Sequence, residues 1–176
     1  MQRVCSAPCA LVHVRAVAAK YQARAAAHQR KQDRAKLAAM QTKPQLTAKA
    51  QAAFNAFVRA RDASKPCISC GKPLGTEPNT YDCGHYRSIG SAPHMRFVEH
   101  NAHGQCKHCN RHLSGNHVAY RQGLVARIGA LAVELMEADT TTRKHTHDEL
   151  VELARQYREQ ARRMRGVVVD PQEAAA

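Results

Sequence analysis

Two C-x-x-C pairs, Cys67/Cys70 and Cys106/Cys109, stand 35 residues apart and constrain this chain more than any other feature. Four thiolates in two such pairs suit one tetrahedral zinc ion, because each pair can sit in a turn that aims both sulfurs at a single point. In "CISCG", Gly71 falls where such a knuckle turns through a positive φ. Four unrelated thiols are the alternative, and the two matching spacings weigh against it. The chain also needs a staple. Its 176 residues include no Trp, three Phe and five Tyr, and alanine supplies much of its 44% hydrophobic share. So few large apolar side chains bury little area. The span between the pairs is longer than a plain zinc ribbon requires, so something functional is expected inside it.

The formal charge of +13 is uneven. Residues 1–66 carry 13 Lys/Arg against 2 Asp/Glu, residues 67–120 carry 5 against 3, and residues 121–176 carry 9 against 9. A basic segment of this kind points to a polyanion, nucleic acid first, with a merely solvated helix as the plain alternative. Aromatic scarcity argues against base stacking as the main grip. No apolar run reaches the roughly 18–20 residues of a membrane span. "CALVHV" is short and runs into basic residues, so no signal peptide is read there. The expected compartment is the cytoplasm, where paired cysteines suggest metal more than disulfides.

Residues 14–40, rich in Ala, Arg, Lys and Gln, predict a long helix with a thin apolar stripe. Pro44 is expected to break it, with Thr47 capping a second helix. Phe54, Phe57, Val58 and Arg61 share a face of that helix, which should pack on the metal module. Four prolines and five glycines between 64 and 110 predict short strands and loops. "RFVEHNAHGQC" reads as a strand entering a turn. A helix begins near Cys106 and stops or kinks at "SGN". Val118, Leu124, Val125, Ile128, Leu131, Val133 and Leu135 predict one amphipathic helix. "THDE" at 146–149 is a capping box for a last helix to about Met164, followed by a frayed tail. The fold class is α+β, mainly helical. A basic arm covers 1–46, a zinc-clipped module 47–138, and a C-terminal helix with its tail 139–176.

His85 lies in "DCGHY" inside the clip, and Asn110 directly follows the fourth cysteine. Hydrolysis of a phosphodiester needs a base to activate water and a cation to bear charge on the leaving oxygen. A strand-borne His can be the base. A side-chain oxygen beside a Cys–Zn bond can be a metal ligand. "CISCG", "DCGHYRS", "RFVEHNAHGQCKHCN", "SGN" and "YRQGLVARIG" together resemble the NinG/Rap recombination endonucleases of lambdoid phages, within the HNH or ββα-metal superfamily. The resemblance covers about 49–165. It implies a phage-encoded enzyme in the bacterial host that cuts branched DNA, such as Holliday junctions and D-loops. Zinc would be structural and Mg²⁺ or Mn²⁺ catalytic. His85 would be the base, Asn110 a ligand of the catalytic ion, and Asn101 the residue that fixes the turn between the strands.

The chain departs from that pattern at Gly84, where many HNH enzymes carry a second ligand. Asp82 could replace it if the strand bulges, and His103 is a rival. Arg87, Arg96, Lys107 and Arg111 are candidate phosphate contacts, and Asn116 a candidate contact to the cut strand or a helix cap. Cys83 reads as a free thiol. Cys5 and Cys9 match half of the family's N-terminal zinc ribbon and are not expected to complete a site. The expected partners are branched DNA, a second copy of the chain through the C-terminal helices, and a phage recombinase. The competing class is a zinc-dependent DNA-binding accessory protein without catalysis. A homing-type enzyme reading one duplex site ranks third, for want of a base-reading element.

Overall fold

The computed structural model describes residues 6–77 and 79–166, so Cys5 and the C-terminal tail lie outside the described residues. The chain separates into two compact units between Thr42 and Lys43. The first is a single helix, α1 (Ala7–Ala39). Pro8 is tolerated because the first helical N–H groups have no intrahelical partner. Leu11, Val12, Val14, Tyr21 and Leu37 are all exposed on it, as is Cys9.

The second unit contains α2 (Lys43–Arg61), β1 (Tyr81–His85), β2 (Ala102–Cys106), a π-helical turn over His108–His112, α3 (His117–Ile128), α4 (Ala130–Ala138) and α5 (His147–Gly166). It is a mainly helical α+β unit. Among the described residues its one sheet is the antiparallel pair β1–β2, running in unbroken register from Tyr81↔Cys106 to His85↔Ala102. No helix is long and apolar enough to cross a membrane among the described residues.

Several elements differ from expectation, each for a local reason. The first helix does end ahead of Pro44, which stands in the first turn of α2, but Thr47 does not cap α2: it sits inside that helix with its Oγ1 donating to the Lys43 carbonyl at 2.9 Å. The predicted strand over 96–106 is extended only from Ala102, because Pro93–Met95 and Glu99–Asn101 coil into 3₁₀ turns. Gly129, at φ +87°, splits the predicted amphipathic helix into α3 and α4 and leaves Val118, Leu131 and Leu135 exposed. The "SGN" stop is abrupt: Ser114, Gly115 and Asn116 all have positive φ. The capping box forms as read, with Thr146 N–H donating to Glu149 at 2.8 Å and Glu149 N–H to Thr146 Oγ1 at 3.2 Å.

Three small clusters share the core. In the first, α2 packs chiefly on α5 and also on the sheet. Phe54 is its hub, with Tyr157 at 4.9 Å, Phe97 at 5.8 Å and Phe57 at 6.4 Å between ring centroids. The apolar stripe of α5, namely Leu150, Ala154, Tyr157 and Ala161, is therefore buried within the chain. The second cluster joins Ile68 and Met95 to Tyr120, Leu124, Val133 and Met136. The third gathers Leu74 and Tyr81 around the cysteines.

Candidate metal centre and its strand pair

The first knuckle is held open by its own backbone. Cys67 N–H donates to Lys72 O at 2.8 Å and Gly71 N–H to Cys67 O at 3.0 Å, with Gly71 at φ +69°. Ile68 N–H donates to Gly104 O at 3.1 Å, which fastens this knuckle to β2. The second knuckle leaves the end of β2 and enters the π-helical turn. The sulfurs of Cys67, Cys70, Cys106 and Cys109 all lie within 4.8 Å of one another. Cys70 and Cys106 Sγ are 3.8 Å apart. Zn–S bonds of about 2.3 Å at tetrahedral angles set an S···S edge of about 3.8 Å.

Charge points the same way. For Cys67, burial opposes ionisation, but the N–H groups of Cys70, Cys106 and Ser69 outweigh it and bring the thiol down to about 7. Burial and the neighbouring thiols push Cys106 up to about 12. Four thiolates share this space only around a cation. Cys106 N–H reaches Cys67 Sγ at 3.3 Å, and Asn116 Nδ2 reaches Cys109 Sγ at 3.6 Å. Such N–H···S contacts orient metal-bound sulfur. The four cysteines could hold one metal ion such as zinc.

Alternation along β1 separates the other expected site residues. Tyr81, Cys83 and His85 face α2, while Asp82 and Gly84 face the opposite side. His85 Nε2 lies 3.0 Å from Arg96 O, and the ring packs at 5.9 Å on Phe54. A carbonyl only accepts, so Nε2 carries the hydrogen and Nδ1 keeps its lone pair. Burial lowers the pKa of His85 below its ordinary value. Asn101 is fully buried, accepts from Arg87 N–H at 2.7 Å, and donates to Arg87 O and Met95 O at 3.0 and 3.1 Å. It ties the two ends of the segment that leads from β1 towards β2. Asn110 lies beside Asp82, not His85, and donates to Asp82 Oδ2 at 3.0 Å. Arg111 grips the same carboxylate at 2.7 and 2.8 Å.

The two expected substitutes for a ligand at position 84 stand differently: Asp82 lies against Asn110, and His103 is buried. The register shows no bulge, so Asp82 stays on the far face and is already paired. His103 is 3% exposed, lies 3.3 Å from the Tyr120 hydroxyl, and is pushed down to about 3 by burial and by the charge of Arg61. A sealed ring of this kind cannot meet a solvent-borne ion. Gly84 itself has a packing reason: a methyl there would overlap the Gln105 carboxamide oxygen. Gln105 Nε2 is pinned by Ser69 Oγ at 2.7 Å and Gly115 O at 2.6 Å, so it bridges the two knuckles. Gly84→Ala should therefore cost about 1–3 kcal/mol in a thermal melt. Most of that loss should disappear when Gln105→Ala is combined with it, and an additive pair would contradict the contact.

The expected phosphate contacts divide. Arg87 turns inward and caps α4, donating from Nη1 to Met136 O at 2.9 Å and to Asp139 O. Asn116 serves the cysteine site. Both side chains thus have structural partners: backbone carbonyls for Arg87 Nη1 and the Cys109 sulfur for Asn116 Nδ2. Lys107 and Arg111 remain on the surface of the second knuckle, and Arg96 on the flank of α2. Cys83 is a free thiol, pushed up to about 12 by burial.

Asp62 carried no motif and was missed. Its side chain is fully buried. It accepts from Arg61 at 2.8 and 3.0 Å, from Lys65 at 3.0 Å and from Gly104 N–H at 2.9 Å, with Arg127 at 3.7 Å. Arg61 also donates to Glu99 O and Ala102 O, at 3.1 and 2.7 Å. The sequence signal was faint: an Arg-Asp pair at the end of a helix, just ahead of the first knuckle.

These features define a mainly helical protein built around a strand pair and four clustered cysteines that could hold a metal ion. The family model described as "Bacteriophage Lambda NinG protein" matches residues 1–166, and the chain belongs to that family. It is 43% identical over 116 residues to protein ninG of Salmonella phage P22, covering 66% of this chain and 56% of the relative. It is 42% identical over 116 residues to protein ninG of Escherichia phage lambda, covering 66% and 55%. The matched segment thus spans little more than half the length of these relatives. No solved structure matches the chain.

Proposed function

We propose that the chain is a structure-selective DNA endonuclease of phage recombination, of HNH type, acting in the bacterial cytoplasm on branched DNA. The observation that carries this reading is His85. Its Nε2–H is anchored on Arg96 O, burial keeps the ring neutral, and no described residue bonds to Nδ1. Nδ1 then takes a proton from water, the hydroxide attacks phosphorus, and the P–O3′ bond breaks, leaving a 5′-phosphate and a 3′ oxygen that takes a proton to become the hydroxyl. Lys107 and Arg111, beside the second knuckle, supply phosphate contacts that position without reading sequence. The metal site holds the strands without taking part in the chemistry. A divalent ion at the leaving oxygen belongs to the HNH reading, with Asn110 as the ligand that reading assigns. Asp82 is hydrogen-bonded to Asn110, and His103 is sealed from solvent.

The test is cleavage of a labelled four-way junction beside a linear duplex of the same sequence, with Mg²⁺, with Mn²⁺ and with neither. Junction-selective cutting is expected in the presence of a divalent ion. His85→Ala should lower its rate about 10²–10⁴-fold, as loss of a general base does, while junction affinity persists. Activity requires neutral His85, whose pKa is lowered. The rate should therefore be flat near pH 7 and fall only as pH drops through a value below the ordinary His range. One observation favours a second reading, a DNA-binding accessory protein. Asn110 and Arg111 both donate to Asp82, so the side chains assigned to the catalytic ion are paired with protein partners. Junction binding without cutting under either metal would select that reading.

A further inference from the structure

Lys43, Thr47, Gln51 and Asn55 recur at every fourth residue of α2 and form a row along one flank. With Arg96 they line a shallow groove that has no acidic and no aromatic side chain in its wall. The row is internally oriented. Gln51 Nε2 donates to Asn55 Oδ1 at 2.7 Å, and Arg96 donates to Gln51 Oε1 at 3.2 Å. Lys43 makes no ion pair among the described residues. The His145 ring stands near, packed at 5.2 Å on Phe97; burial and the positive charges of Arg143, Lys43 and Arg96 lower its pKa and disfavour its charged form. Both of its ring nitrogens lack a hydrogen-bond partner. The nearby carboxylate, Glu149, lies 3.8 Å from His145 Nδ1 and is shared with Arg143 at 3.5 Å and with Thr146 N–H. Arg96 links the groove to His85: the residue lines the groove wall while its carbonyl meets the ring. Phe54, the neighbour of Asn55, packs on that ring.

We propose that this flank of α2 is the track for the phosphodiester backbone of one DNA strand, leading it to His85. The proposal rests on the nuclease reading for its destination and on the groove for its chemistry. Two cations and a row of amides suit phosphate and sugar oxygens. The lack of aromatic rings fits a backbone track, not a platform for stacked bases.

The test is fluorescence anisotropy of a fluorescein-labelled four-way junction titrated with the full chain, over a series of salt concentrations. Lys43→Glu should raise Kd about fivefold, and Lys43→Glu with Asn55→Glu at least tenfold. The slope of log Kd against log salt should fall by about one. Lys43→Arg should stay within twofold of wild type. Lys43 is exposed, so its variants should keep their melting temperature and metal content. A Kd unchanged within twofold in the double variant overturns the track, even if the wild type cuts. A wild type that binds through the groove without cutting overturns the nuclease reading and leaves the track standing. A wild type that binds no junction overturns both.

Discussion

Stripping the metal with a chelator, or replacing Cys109 by Ser, should abolish cooperative melting of the unit that begins at Lys43. The cluster around the cysteines holds few other apolar side chains, chiefly Leu74 and Tyr81. Burying two such side chains contributes about 2 kcal/mol each. Closing the 35-residue span between the pairs costs about 3 kcal/mol by loop entropy alone. Ordering the backbone of that span costs far more. Structural zinc contributes on the order of 10 kcal/mol in small domains, which is the scale needed to offset these costs. Cys70 is exposed, so a chelator can reach the site. Near-UV circular dichroism should report the loss, since Tyr81 and Tyr120 are buried close by and the chain has no Trp. Metal analysis should give one zinc per chain. A chelated protein that melts at an unchanged temperature would remove the metal from the account of stability.

The second large effect belongs to Asp62. Asp62→Ala should destabilise the same unit by about 3–5 kcal/mol, because it leaves the Arg61 guanidinium and the Gly104 N–H without their buried partner. Burial opposes the Asp62 charge, yet the hydrogen bonds from Arg61 and Gly104 outweigh it and hold the carboxyl well below the usual carboxylate range. A depressed carboxyl pKa gives stability that is present above the unfolded value near 4. That stability is lost as pH falls towards the folded value. Chemical denaturation of wild type at pH 7 and pH 3 should show this loss, and Asp62→Ala should show less of it. An equal pH response in both proteins would assign the acid sensitivity to other carboxylates.

The legible parts were those with fixed local spacing. The two cysteine pairs, the Gly71 turn, the stop at Ser114–Asn116 and the Thr146/Glu149 capping box each follow from neighbours in the chain. Interactions across the fold were not legible. Nothing around Asp62 announces a carboxylate bound to β2, some forty residues away in sequence. Gly84 read as a lost ligand until Gln105, on the partner strand, was seen to fill its space. The apolar faces of the C-terminal helices read as a surface for a second copy; α2 covers the stripe of α5, while Val118, Leu131 and Leu135 of α3 and α4 stay exposed. Strand alternation was legible and its consequence was not: whether Asp82 and His85 could share a site depended on a bulge that sequence spacing cannot specify.

The ring stack on Phe54 has a consequence for synthesis on the ribosome. Phe54 carries the His85 ring on one side and meets Tyr157 of α5 on another. The chain grows from its N-terminus, so His85 emerges long before the helix that completes its backing. A nascent chain that already displays both cysteine pairs still lacks the support behind this histidine. A product truncated before Tyr157 would keep both cysteine pairs and lack the ring that backs Phe54.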